Sequence, residues 1–215
     1  MKYQHLYGLF DNFPHRRKQL KDKDQKWLHE QFMKTLQEKI SSEPEQAAEF
    51  QSEILIMEGE TAAAEGHLEH ALGYFNEAAA VFGQNVSAIV RVASVMLELD
   101  KPNVAQSLYE IALKKDPFDP GIATGLGVCQ MELGQIPQAR NTFKKVADER
   151  ETYAPAHFFL AVLESDRHEM KRYFNKAMFY AGVSGSDPFL QPDTDAVMAR
   201  NNPEFRMRLL SGPDY

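Results

Sequence analysis

The sequence repeats itself every 34 residues, and that period decides what the chain can fold into. Ser52, Val86, Pro120 and Ala154 stand 34 apart, and matching residue types follow each of them at matching offsets. Seven positions on come Gly59, Ala93, Gly127 and Ala161, all small; nineteen on come Ala71, Ala105 and Ala139; four further come Phe75, Tyr109 and Phe143. Ala78, Ala112 and Val146 follow three residues later, and Asp116-Pro117 closes the second unit. A fixed period of this length means supersecondary units that bury their apolar faces by stacking on neighbours. Such a chain presents an extended binding surface.

The residue types have physical reasons. Two helices that cross closely need side chains no larger than Ala at the crossing, which the small residues supply. An aromatic one turn later fills the space below, since residues four apart share a helix face. Gly66 and Gly134 fall in the turns within the first and third units, where a left-handed residue ends a helix. Asp119-Pro120 reads as an N-cap followed by Pro at the first helical position. The fourth unit is shortened: Tyr74-Phe75-Asn76-Glu77-Ala78 recurs as Tyr173-Phe174-Asn175-Lys176-Ala177 at a spacing of 99, where three periods would give 102. The three missing residues are assigned to the turn between its helices, so its trailing helix should start early.

These residues resemble the tetratricopeptide repeat, a helix-turn-helix unit of about 34 residues, over roughly residues 52–181. The family's early Trp is replaced by Leu55, Ile89, Ala123 and His157, and its later Tyr by Ala62, Met96, Gln130 and Glu164. The resemblance implies an all-α fold, a right-handed α-solenoid with an N-terminal helical extension and a C-terminal capping helix. It implies that leading helices near 86–99, 120–133 and 154–166 line a concave groove. Trailing helices are predicted near 68–82, 102–115, 136–149 and 169–181. Groove positions carried over from the family are Glu53, Ile56, Glu60, Ala63 and Ala64; Ser87, Val90, Ser94, Leu97 and Glu98; Gly121, Thr124, Val128, Met131 and Glu132; and Pro155, Phe158, Val162, Ser165 and Asp166. Their apolar members form a stripe of the kind that marks an interaction site. Glu60, Glu98, Glu132 and Asp166 give it an acidic edge. Some family members clamp a terminal carboxylate with Lys and Asn; here no Lys, Arg or Asn stands at these positions, which argues against acidic tails as ligands.

Charge supports the same expectation. Residues 1–40 hold nine Lys or Arg against five Asp or Glu, and the remaining 175 hold 15 against 26, balances of +4 and −11. Residues 41–90 contain nine Glu and no Lys or Arg. That block repels nucleic-acid phosphates and attracts basic partners. The ligand expected is therefore an apolar or basic amphipathic protein segment held in the groove. The chain's own aromatic and basic N-terminus could fill the groove instead, and a homodimer could share it. The biochemical readings are a non-enzymatic adaptor or scaffold, a secretion-type chaperone keeping an aggregation-prone substrate soluble, or a self-assembling structural subunit.

No motif supplies catalysis or a cofactor. His67 and His70, beside Glu65 and Glu69, lack the three or four convergent ligands a metal wants and read as solvated. His157 replaces a packing aromatic and reads as a satisfied, half-buried imidazole. Glu58, Glu60 and Glu65 lack a closed pocket for acid–base work. The single cysteine, Cys129, lies among Leu126, Val128 and Met131 and reads as a small buried hydrophobe. The run Arg16-Arg17-Lys18 with Lys21 and Lys23 reads as a solvated helix face. No apolar stretch approaches the ~20 residues of a membrane span, and the N-terminus lacks a secretory signal's apolar core, so a cytoplasmic address is expected.

Three regions are expected. Residues 1–44 are a helical extension, with a short amphipathic helix over the first thirteen residues, a break at Pro14, and a helix from Asp24 to Ile40 carrying Trp27, Leu28, Phe32 and Leu36. Residues 45–182 are the repeats, the first leading helix running from Glu45 to Glu65. Residues 183–215 are a linker and cap, with helices through Asp193–Arg200 and after Asn202-Pro203.

Overall fold

In a computed structural model the described residues are 22–180, and among them the chain folds into nine α-helices and no strands. Helix α1 spans Asp22–Ser42, and a 3₁₀ turn over Pro44–Gln46 leads into α2, Ala47–Ala64. There follow α3 (Leu68–Val81), α4 (Val86–Glu98), α5 (Pro102–Lys115), α6 (Pro120–Glu132), α7 (Ile136–Glu149), α8 (Ala154–Leu163) and α9 (Arg167–Tyr180). Each trailing helix packs on the leading helix of its own unit, and α3, α5 and α7 pack also on that of the next. The helix expected from Glu45 starts two residues later, because Pro44 opens a tight turn closed by Gln46 N–H donating to Glu43 O at 3.0 Å. The short N-terminal helix and the C-terminal capping helices lie outside the described residues.

The hairpins close as the small residues require, with the aromatic ring itself at the crossing. A Cβ added to Gly59 would stand 2.5 Å from the Phe75 ring, and one added to Gly127 would enter the Phe143 ring. In the second unit the corresponding residue is Ala93, whose methyl takes that space. Tyr109 instead lies over Gly125 of the next leading helix, its hydroxyl 2.9 Å from Ser94 Oγ. The aromatic thus lies on the glycine of its own hairpin where the crossing residue is Gly, and on a glycine of the next hairpin where it is Ala. Phe75, Tyr109 and Phe143 are all buried, each worth about 1.5–3 kcal/mol relative to exposure.

Gly66 and Gly134 take φ of 84° and 72°, and Asp100 fills the same left-handed position at 59°, ending each leading helix so that the chain reverses. The leading helices α4 and α6 start on side-chain caps: Asn85 accepts from Ala88 N–H at 3.4 Å and Asp119 from Ile122 N–H at 2.8 Å. Asn85 Nδ2 also donates to Ser52 Oγ and Glu53 Oε1, both at 3.0 Å, while Ser52 Oγ donates to Ala78 O at 2.9 Å. That buried network satisfies polar groups where the first and second units meet.

In the fourth unit α9 begins at Arg167, three residues earlier than the period alone would place it. The deletion is not in the turn, however. Residues 164–166 still form a three-residue connection, and α8 is the element that lost its last turn, ending at Leu163. Arg140, from α7 of the preceding unit, takes over: its guanidinium donates to the Leu163 carbonyl and, at 2.8 Å, to Glu164 Oε2. Glu164 Oε1 accepts from the N–H groups of Ser165 and Asp166 at 2.8 and 3.3 Å. A shortened helix end thus gains a cation where its carbonyls need one. At the other end, α1 packs on α2 through a separate small cluster of Leu36, Phe50 and Ile54, flanked by Met33, Ile40 and Met57.

Candidate partner-binding face

The leading helices form the inner layer: α2 touches α4 and α4 touches α6, in addition to the hairpin contacts. Equal offsets therefore lie side by side on consecutive helices, which is what a groove requires.

Eleven side chains were expected to bind there: Ile56, Glu60, Val90, Leu97, Glu98, Thr124, Val128, Met131, Glu132, Phe158 and Val162. The structure encloses six of them, Ile56, Leu97, Thr124, Val128, Phe158 and Val162. Leu97, Val128, Phe158 and Val162 join one apolar cluster with Tyr109 and Phe143, with Val90 and Met131 packed at its edge; Ile56 belongs to a second cluster around Phe75. Phe158 packs edge-on against Phe159 at 5.6 Å between ring centroids. Thr124 donates its hydroxyl to Pro120 O within its own helix, at 2.7 Å. An open apolar trough is therefore not what these residues form. Side chains at helix offsets that face inward also meet the next helix, and in this stack they pack as core. The half-exposed members are Val90, Glu98, Met131 and Glu132, with Glu60 exposed.

The acidic edge also differs from expectation. Asp166 leaves it, because the shortened α8 places Asp166 in the connection, where its Oδ1 accepts from Glu169 N–H at 2.8 Å. Glu60 pairs with Arg91 Nη2 at 2.6 Å. Arg91 lies one residue beyond the groove offset of Val90, so the reading by offsets passed over it. The available signal was its being the first Lys or Arg after Lys39. Both partners are close to half exposed, and such a pair is worth about 0–1 kcal/mol.

The groups considered for chemistry take structural places. Cys129 is buried, and desolvation pushes its thiol up to about 12 against a weaker opposing backbone hydrogen bond. His67 and His70 are exposed, with ring centroids 5.8 Å apart and His67 Nδ1 3.4 Å from Glu65. Among the described residues no three His, Cys, Asp or Glu converge as a metal site. His157 is buried rather than half-buried: its Nε2 lies 2.7 Å from Glu151 O, to which it donates, and its Nδ1 is buried with no hydrogen-bond partner. It lines a cavity of about 290 Å³ with Lys144, Asp148, Glu151 and Lys176, and Lys176 pairs with Glu151 at 3.6 Å. No helix among the described residues is long and apolar enough to cross a membrane.

A family model described as Tetratricopeptide repeat matches residues 96–163, from the end of α4 through α8. Over that span the chain carries tetratricopeptide-repeat sequence. Among curated proteins it is 32% identical over 89 residues to the Protein CTR9 homolog of Arabidopsis thaliana, a match covering 41% of this chain and 8% of that protein. The chain thus spans under a tenth of that relative. Among solved structures it is similar to a thermophilic TPR protein of Thermus thermophilus, with a TM-score of 0.58 and 18% identity over 74% of this chain and 97% of that one. It is also similar to a Thermobaculum terrenum O-GlcNAc transferase mutant, with a TM-score of 0.57 and 16% identity over 61% of this chain and 26% of that one. These likenesses establish the fold, an all-α solenoid of helical repeats, and leave the chain's task to its own side chains.

Proposed function

We propose that this chain is a non-enzymatic adaptor that holds an amphipathic, basic segment of a partner protein along its inner face. The observation that supports this most is the acidic block: residues 41–90 hold nine Glu and no Lys or Arg, and they build α2, α3 and the start of α4. Glu60, Glu98 and Glu132 extend that charge along the inner layer, beside the half-exposed apolar side chains of Val90 and Met131. Because the deeper apolar residues are enclosed, contact falls on this edge, and charge governs it more than a hydrophobic trough would. Carboxylates so arranged set partner choice and association rate more than raw affinity.

Fluorescence anisotropy with a labelled amphipathic helical peptide bearing Leu and Lys tests the reading. The wild-type chain should bind it, more weakly as salt rises, and Glu98→Lys with Glu132→Lys should weaken binding about tenfold or more. An unchanged denaturation midpoint would confirm that the double variant folds. Absence of binding by the wild type, or equal binding by the double variant, refutes the proposal.

A further inference from the structure

We infer that the chain's own residues 1–21 occupy the inner face in cis and that a partner segment must displace them, a regulation of the adaptor site that rests on the reading above. The sign of the charge singles out that segment. The inner-layer helices α2, α4, α6 and α8 hold six Glu and one Lys or Arg, Arg91, which pairs with Glu60. The connections that end them add Glu65, Asp100, Glu164 and Asp166 against Lys101. The outer helices α3, α5, α7 and α9 have the opposite balance, nine Lys or Arg against six Asp or Glu, and only α3 among them is acidic, through Glu69 and Glu77. Residues 1–21 hold five Lys or Arg against Asp11, whereas residues 181–215 hold three Arg against five Asp or Glu. Of the two segments that flank residues 22–180, the first alone is opposite in sign to the inner layer.

The connectivity brings the segment to that face. Helix α1 joins α2 through four residues, 43–46, the same length as the connections 82–85, 116–119 and 150–153 that lead from a trailing helix to the next leading helix. It packs on α2 as those trailing helices pack on their followers, so α1 holds the place of a trailing helix. A connection this short makes α1 and α2 antiparallel, and the chain enters α1 at the end of α2 that carries Glu58 and Glu60. From there eight residues, 14–21, span up to about 26 Å when extended. Two helix-to-helix steps of about 8–10 Å each lead from α2 to α6, so the first thirteen residues reach the whole acidic edge. Tyr3, Leu6, Tyr7, Phe10 and Phe13 recur three or four apart, an apolar stripe at helical spacing. That stripe matches the half-exposed Val90 and Met131, and Arg16, Arg17 and Lys18 match the carboxylates beside them. The segment thus has the character the adaptor reading asks of a partner, and its tether gives it a high effective concentration at the face.

Two measurements on the full chain test the inference. A nitroxide attached at Gly8→Cys, where the buried Cys129 does not compete for the reagent, should broaden the amide signals of Glu60, Val90, Glu98 and Met131 more than those of the outer helices α3, α5 and α7. The variant Phe10→Asp with Arg17→Glu should bind the Lys-bearing amphipathic peptide about tenfold or more tightly than the wild type, because its inner face is open for a larger fraction of the time. A gain in binding is not the result of misfolding. Measurable binding of equal strength by the two proteins overturns the inference, as does broadening that falls on the outer helices or nowhere. Broadening that appears when the nitroxide sits on one chain and the isotope label on another also overturns it, by placing the segment on a second copy. If the peptide binds neither protein, the adaptor reading fails, while the broadening, which needs no peptide, still decides the contact in cis.

Discussion

Replacing Gly127 by Ala tests whether ring-on-glycine contacts hold the hairpins together. In an open helix the change should stabilise, because Gly is about 0.8–1.0 kcal/mol worse than Ala in a helix interior. Here the new Cβ would come within 3.0 Å of three carbons of the Phe143 ring. That ring cannot retreat, because Phe159 stacks on it with centroids 4.9 Å apart and planes 11° from parallel. Overpacking of this kind costs about 1–3 kcal/mol, and a blocked retreat puts it in the upper part of that range. Net of the propensity gain, Gly127→Ala should destabilise by about 1–2 kcal/mol. Gly73 is the control: it sits within α3, exposed, with nothing within 4 Å of an added Cβ. Gly73→Ala should stabilise by about 0.5–1 kcal/mol. The assay is the urea midpoint of each variant at unchanged slope, with Gly127→Ala repeated in a Phe143→Leu background to measure the coupling. If Gly127→Ala stabilises as Gly73→Ala does, or the two changes are simply additive, the packing argument is wrong.

Arg140→Ala should lower the stability of the fourth unit by about 1–3 kcal/mol, by leaving the Leu163 carbonyl and Glu164 without their cation, and a fall in melting temperature checks it. Burial raises the Glu164 carboxyl, but the N–H groups of Ser165 and Asp166 and the Arg140 guanidinium outweigh it and hold it below its ordinary 4.5. A depressed folded-state value stabilises above the unfolded value and loses that contribution as pH falls. The gap between wild type and Arg140→Ala should therefore be largest near neutral pH and shrink below about pH 4.5, as acid titration of both proteins would show. Cys129, pushed up to about 12 by burial, should resist a thiol reagent at about pH 8 in the folded chain and react once urea unfolds it. Asn85→Ala should cost about 1–2 kcal/mol, since it removes an N-cap and strands the Ser52–Glu53 network, a loss read from the urea midpoint.

The fold was legible because each hairpin repeats the same small-residue and aromatic offsets, and the boundaries of α3, α5 and α7 fall within a residue of those offsets. What the period could not decide is local. A spacing of 99 in place of 102 shows that three residues are missing, but not on which side of the turn; only the end of α8 at Leu163 and the Arg140 contact place the loss. The Ala at 93 and the Gly at 125 together signal the tilt of Tyr109 toward the next hairpin, yet neither says so without the packing. The binding face was legible as a register and not as a surface. An offset names the helix face a residue occupies, while enclosure depends on how closely the neighbouring helix approaches. Thus Val128 and Phe158 became core, whereas Val90, Met131 and the glutamates kept contact with solvent.

Residue-resolved NMR titration of the chain with the Lys-bearing amphipathic peptide measures the adaptor reading most directly. The account predicts saturable backbone shifts centred on Glu60, Val90, Glu98, Met131 and Glu132 along α2, α4 and α6, fading as salt is added. Shifts confined to the outer helices, or none at saturating peptide, would contradict it.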